Sequence, residues 1–258
     1  MSVATYLYCL VRNPEPPPLA AAPPGLPGCG PLRALAVGGG LWLVVADAPL
    51  PEYGSEEIQS RLPDLSWVSD RAMAHEAVVE SCAAAGTLIP MKLFTLFTSD
   101  ERALAHVRED RERLDRVLDR VAGCAEWGVQ VRYDEARARD VLAVEMRQAG
   151  GPASGTSFLL RKKMEQEAAR ILATRLRSEV DEVFAELSQG AAEALRRDPV
   201  TPEAGTRMLL DAAFLVRADR AAEFEGLVER GAGRLGSQAC EVTLTGPWPP
   251  YNFLEEAR

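Results

Sequence analysis

The sequence predicts an α+β fold in two domains. Three observations carry that reading. Short apolar runs rich in aromatic and β-branched residues recur between amphipathic helical stretches. The order of these runs is β-β-β-α-β-α and then β-α-α-β-α-β, an antiparallel pattern in each half with helices to cover one face. The chain has 258 residues, 47% of them hydrophobic and 26% charged, enough for two small globular cores without staples. The halves join near Gly123, giving domains at 1–123 and 124–246 and a C-terminal tail at 247–258.

TYLYCLV (5–11) reads as a first, buried strand. Its only nearby positive charge, Arg12, follows the apolar run, so the segment suits a strand better than an export signal. NPEPPPLAAAPPGLPGCGP comes next and holds eight of the 18 prolines, which makes it a loop with polyproline character. LRALAV and LWLVVAD flank Gly38–Gly40 and form a hairpin. No helix and no Lys-Ser/Thr follow those glycines, so they are a turn rather than a phosphate loop.

Residues 63–85 carry a helix, capped by Asp64 or Ser66 and stopped by Gly86. Trp67, Ala74, Val78 and Cys82, with Met73 beside them, share one face. TLIPMKLFTLF (87–97) is an edge strand broken by Pro90. Residues 99–123 form a second helix with a stripe of Leu104, Val107, Leu114, Val117, Leu118 and Val121, interrupted by Arg111. EWGVQVRYD (126–134) is a strand, EARARDVLAVEMRQ carries a brief helix, and GGPASG (150–155) is a connector. Residues 156–190 keep helical period throughout and carry a helix of roughly 30 residues, about 45 Å at 1.5 Å per residue. RMLLDAAFLVR (207–217) is a strand, Asp219 caps a helix ended by Gly231 and Gly233, and QACEVTLTG (238–246) closes the second half, a split βαβ layout built around the long helix.

The tail, GPWPPYNFLEEAR, packs three prolines and three aromatic rings into seven positions, 247–253. Proline fixes φ and removes donors, so this backbone is neither helix nor inner strand. Two uses remain open: carrying Trp248, Tyr251 and Phe253 back over a domain, or presenting them to a partner at low entropic cost.

The chemistry-bearing residues are sparse. A net charge of −9 argues against general nucleic-acid binding and against anionic membrane surfaces. Five scattered cysteines, with no C-x-x-C pair, suit free thiols in a reducing cytosol rather than a disulfide frame or zinc site. His75 is followed by Glu76, but Val79 breaks the two-histidine zinc pattern. His75 reads as a helix-surface or partly buried polar residue and His106 as solvated. No G-x-S-x-G elbow and no G-x-G-x-x-G after a strand occur. The expectation is no catalytic residue, no cofactor and no metal. Arg161, Lys162 and Lys163 form the one dense basic patch, either paired within the helix or a dock for an acidic surface.

Several segments together resemble one family, that of gas vesicle proteins F and L. TYLYCLV resembles its Y-x-Y opening. DLSWVSDRAMAHEAVVE resembles its Trp-containing helix with the His-Glu pair. IPMKLFTLFTSDE, GCAEWGVQVRYD, FLLRKKMEQE and TGPWPPYNF resemble four further segments, in the right order along nearly the whole chain. One departure stands out: many members carry Phe-Gly-Thr after the Arg/Lys of the middle segment, and here Leu93, Phe94 and Thr95 follow Lys92.

The resemblance implies two α+β domains, the first ferredoxin-like, and an accessory protein of gas vesicle formation rather than an enzyme. It implies a cytoplasmic or vesicle-associated protein that binds the very hydrophobic shell protein and other accessory proteins, assists assembly and is a candidate minor vesicle component. Arg161, Lys162, Lys163, Trp248, Tyr251 and Phe253 are the candidate partner contacts, with apolar surface on the sheets or the long helix. A ferredoxin-like small-ligand or regulatory module is the alternative from a different class.

Overall fold

The computed structural model describes residues 2–134, 158–198, 206–236 and 239–255, without the side chains of 158–169 and 171–173. The chain divides into two compact units, 1–124 together with 248–258, and 125–247. The tail thus returns to the first unit.

The first unit is built on β1 (Val3–Arg12), β2 (Arg33–Gly38), β3 (Leu41–Pro49), β4 (Thr87–Pro90) and the two-residue β5 (Leu96–Phe97). Its sheet has the order β2-β3-β1-β4, with β5 also on β1, and the β1 pairings are all antiparallel. The hairpin turn passes through Gly38, Gly39 and Gly40, all at positive φ, which only glycine adopts freely. A bulge places Tyr8 as an extra residue, since Leu7 pairs Val45 and Cys9 pairs Val44. Tyr6, Tyr8, Cys9 and Val11 therefore share one core cluster.

That cluster is covered by α3 (Leu65–Ala83), by the short α1 (Leu50–Tyr53) followed by α2 (Ser55–Arg61), and by the proline-rich loop. The loop is pinned by Leu26 N–H donating to Tyr8 Oη at 2.8 Å and by Tyr53 Oη donating to the Pro27 carbonyl at 2.6 Å. It occupies the crossover from β1 to β2, where a ferredoxin-like fold carries its first helix. Asp64 caps α3, accepting from Trp67 N–H at 3.1 Å.

The opposite face is covered as well. Here α4 (Asp100–Glu109) and α5 (Arg111–Val121) bury Ala103, Val107, Leu114, Val117, Leu118 and Val121. Arg12 reaches Asp119 at 2.7 Å and Thr5 donates to Asp100 at 2.7 Å, which fixes β1 to these helices. The expectation of helices on one face is corrected for this unit: β1 is buried on both sides, so both must be covered. The single helix expected at 99–123 is two, broken at Asp110, where Arg111 turns out to donate to the Gly38 carbonyl at 3.0 Å.

The second unit runs β6 (Cys124–Asp134), α6 (Phe158–Gly190), β7 (Glu193–Arg196), β8 (Thr206–Arg217), α7 (Ala221–Gly236) and β9 (Cys240–Trp248). Its strand order is β7-β8-β6-β9. Among the described residues the elements follow βαββαβ, with the same relative strand order as the first unit, which is the ferredoxin-like pattern. Trp127, Val129 and Val131 of β6 alternate inward against Leu176, Val180, Val183 and Leu187 of α6 and Phe224 and Val228 of α7. The strand β7 was not expected. Conversely α7 runs through Gly231 and Gly233 instead of ending there. A Cβ at Gly231 would lie 3.0 Å from Val183 Cγ1, so this glycine serves the close approach of α7 to α6. The brief helix expected at 135–148 and the connector at 150–155 lie outside the described residues.

Candidate functional site

Three parts of the first unit converge on the edge strand β4: α3 on one face of the sheet, α5 on the other, and the tail across the edge. In the first part, β1 presents Tyr6 to α3. Tyr6 Oη lies 2.7 Å from His75 Nδ1, and His75 Nε2 lies 3.0 Å from the Met91 carbonyl. A carbonyl only accepts, so Nε2 carries the hydrogen and Nδ1 accepts from the tyrosine. Tyr6 Oη also accepts from Phe94 N–H at 3.3 Å. Burial pushes the imidazole down to about 4, outweighing the Met91 bond, which acts the other way. His75, expected at the helix surface or partly buried, is 3% exposed and neutral, a pin between β1, α3 and the segment after β4. With both nitrogens engaged it is held as a structural residue.

That pinned segment contains Phe94 at φ +64°. The backbone takes the left-handed conformation that glycine adopts freely, although the residue is Phe. Its ring stacks on Trp67, centroids 5.4 Å apart at 26°, and the Arg71 guanidinium lies 4.1 Å above the same indole. The stack offsets part of the cost of a left-handed non-glycine residue, about 1–2 kcal/mol. Beside it an open apolar groove of about 450 Å³ runs between α2 and β5, lined by Tyr53, Ile58, Phe94, Leu96 and Phe97 with Val3 and Leu50 at its rim. Val3 and Leu50 stand exposed, as do Leu62, Leu65 (80%) and Met73 (66%). Met73 had been expected on the apolar face of its helix; the buried face carries His75, Val78, Val79 and Cys82.

The tail forms the third part. Pro249 and Pro250 are buried, and a 3-10 turn follows at Tyr251–Phe253. Tyr251 Oη donates to Glu76 Oε2 at 2.6 Å. Burial first, and the Glu76 carboxylate second, push the phenol well above its ordinary range, so it stays a donor. Arg120 of α5 donates to the Phe253 carbonyl and to the Glu255 carbonyl, the latter at 2.9 Å. Leu254 closes a chamber of about 280 Å³ whose apolar walls include Leu7, Ile89, Val107, Leu114 and Val117.

Of the candidate contacts read from sequence, the structure does not put the three tail rings to one use. Phe253 is 4% exposed, Tyr251 is bonded to Glu76, and Trp248 stands 41% exposed. Arg161, Lys162 and Lys163 lie in the first turns of α6, with side chains outside the described residues. Sequence reasoning missed Glu76 and Arg120 as the tail's acceptors and donors. The His-Glu pair at 75–76 was a signal for the first; Arg120, one arginine among many on its helix, gave none. Among the described residues no helix is long and apolar enough to cross a membrane.

Two antiparallel α+β units, each with the 2-3-1-4 strand order, define a two-domain fold already seen in crystals. The gas vesicle protein GvpF from Anabaena sp. PCC7120 matches with a TM-score of 0.72 at 20% identity, over 100% of this chain and 98% of that one. GvpF from Microcystis aeruginosa matches with a TM-score of 0.69 at 19% identity, over 98% and 100%. By sequence, gas vesicle protein L of Streptomyces sp. (strain CB03234) is 30% identical over 257 residues, 96% of this chain and 91% of the relative. Gas vesicle protein F of the same strain is 28% identical over 264 residues, 98% and 100%. The family described as gas vesicle synthesis protein GvpL/GvpF matches residues 4–255, and the chain belongs to that family. It is a protein of gas vesicle formation.

Proposed function

We propose that this protein acts by binding rather than by catalysis, as a cytoplasmic assembly factor that holds the hydrophobic gas vesicle shell protein before and during its assembly. The observation that carries this reading is the apolar groove between α2 and β5, with Val3 and Leu50 exposed at its rim, in a chain of net charge −9. Exposed apolar surface on a charged, otherwise well-packed unit marks a binding face. The acidic remainder keeps such a complex in solution. A shell subunit that must later pack into a gas-facing wall offers complementary apolar surface. Other accessory proteins of the family are further partners under this reading.

The test is co-expression with a shell protein followed by capture, using the full chain and a Val3→Ser/Leu50→Ser variant. These side chains are exposed, so the variant should fold and melt as the wild type does. Capture by the wild type and its loss in the variant supports the reading. No capture by the wild type sinks it.

A further inference from the structure

The β4 edge of the first unit is covered by a segment that does not pair with it. The sheet order leaves β4 at the open side, with α3 on one face and α5 on the other. An exposed edge is a template for strand addition unless something blunts it. Leu254 and Glu255 of the tail line a chamber together with Ile89 and Pro90 of β4; ahead of them Pro249 and Pro250 have no backbone hydrogen to donate, and two of the tail's own donors are spent internally. Tyr251 N–H bonds the Pro249 carbonyl at 2.8 Å and Phe253 N–H the Pro250 carbonyl at 3.2 Å. What holds the segment is a short set of recognitions: Glu76 for a phenol hydroxyl, Arg120 for two backbone carbonyls, and the chamber for a leucine. These contacts reach Tyr251, Phe253, Leu254 and Glu255.

We propose that the β4 edge is a peptide-docking groove, filled in one copy by its own tail, and that it takes the tail of a second copy when its own is displaced. A preformed Pro-Pro-Tyr-x-Phe-Leu segment loses little conformational freedom on docking. The tether through Gly246–Pro247 gives the internal tail a high effective concentration, so exchange takes hold only where copies are crowded. The groove is separate from the apolar groove between α2 and β5, and the proposal does not rest on the shell-protein reading.

The experiment uses a fluorescein-labelled peptide of residues 246–255 and reads its anisotropy against three receptors: the full chain, the chain truncated after Gly246, and full-length Tyr251→Phe. The expected result is saturable binding to the truncated chain at least tenfold tighter than to the full chain. Tyr251→Phe, whose internal tail is weakened, should fall between them. A peptide with Phe in place of the tyrosine, or Arg120→Ala in the receptor, should lose about tenfold. Equal binding to the full and truncated chains overturns the proposal, because the peptide would then sit elsewhere. If the truncated chain fails to fold, the Tyr251→Phe arm decides alone: no gain in peptide affinity over the wild type overturns the proposal.

Discussion

Tyr251 and Glu76 are 175 positions apart in the chain and share a hydrogen bond of 2.6 Å. The bond ties the tail to the helix that carries His75, and so to the Tyr6–His75–Met91 pin one residue away. A carboxylate acceptor makes it stronger than a neutral pair. Removing the donor leaves the half-buried acceptor without this partner. Tyr251→Phe should therefore cost about 1–3 kcal/mol, a fall in Tm of roughly 5 °C or more. A thermal melt of the two proteins at equal concentration checks it. An unchanged Tm would mean the tail adds nothing to the first unit's stability.

His75 makes that unit acid-sensitive. Its folded-state value, about 4, lies below the ordinary 6.5, so the unfolded chain binds the proton first. Stability from this group is full above pH 6.5 and drains away as pH falls towards 4, on the order of 3 kcal/mol in all. Urea denaturation of wild type and His75→Gln at pH 7 and pH 4.5 isolates the effect. The wild type should be the more stable at pH 7, and its lead should shrink at pH 4.5. A constant lead would refute a buried neutral imidazole.

Phe94 separates backbone strain from ring packing. Phe94→Ala keeps the positive φ and loses the stack on Trp67, whereas Phe94→Gly loses the same stack but relieves the strain. The glycine variant should be the more stable of the two by about 1 kcal/mol. Denaturant midpoints of both variants give the comparison, and the reverse order would place Phe94 outside the left-handed region.

Two glycines of α7 should respond with opposite signs. Gly233 faces open space, so Gly233→Ala gains helix propensity and should stabilise by about 0.5–1 kcal/mol. Gly231 faces Val183, whose branched side chain is stiff in a helix, so Gly231→Ala should cost about 1 kcal/mol. Chemical denaturation followed at Trp127, in the same core, reports both.

Elements set by local rules were legible in the sequence. The β2–β3 hairpin followed from its glycines, the start of α3 from Asp64, the long α6 from its period, and the place of β4 at an edge from Pro90. What escaped were features decided by residues far along the chain. His75, between Ala74 and Glu76, was read as a surface or partly buried residue, and its full burial escaped because its partner is on β1. Gly231 reads as a stop signal unless the approach of α6 is known. The strand β7 has four residues with charged ends, too few for a pattern, and exists because β8 pairs with it. For the site, the rigidity and aromatic content of the tail could be read directly. Its seat was not read: the His-Glu pair at 75–76 was the one signal for Glu76, and Arg120 is one arginine among several on its helix.

The first unit is assembled from two pieces of chain with the whole of 125–247 between them. Ribosomes add about 5–20 residues per second, so on the order of ten seconds separates synthesis of α5 from synthesis of the segment that seals β4. During that interval the nascent first unit shows an unsealed strand edge and an unroofed apolar chamber. Slow codons within 125–247 would lengthen this vulnerable interval.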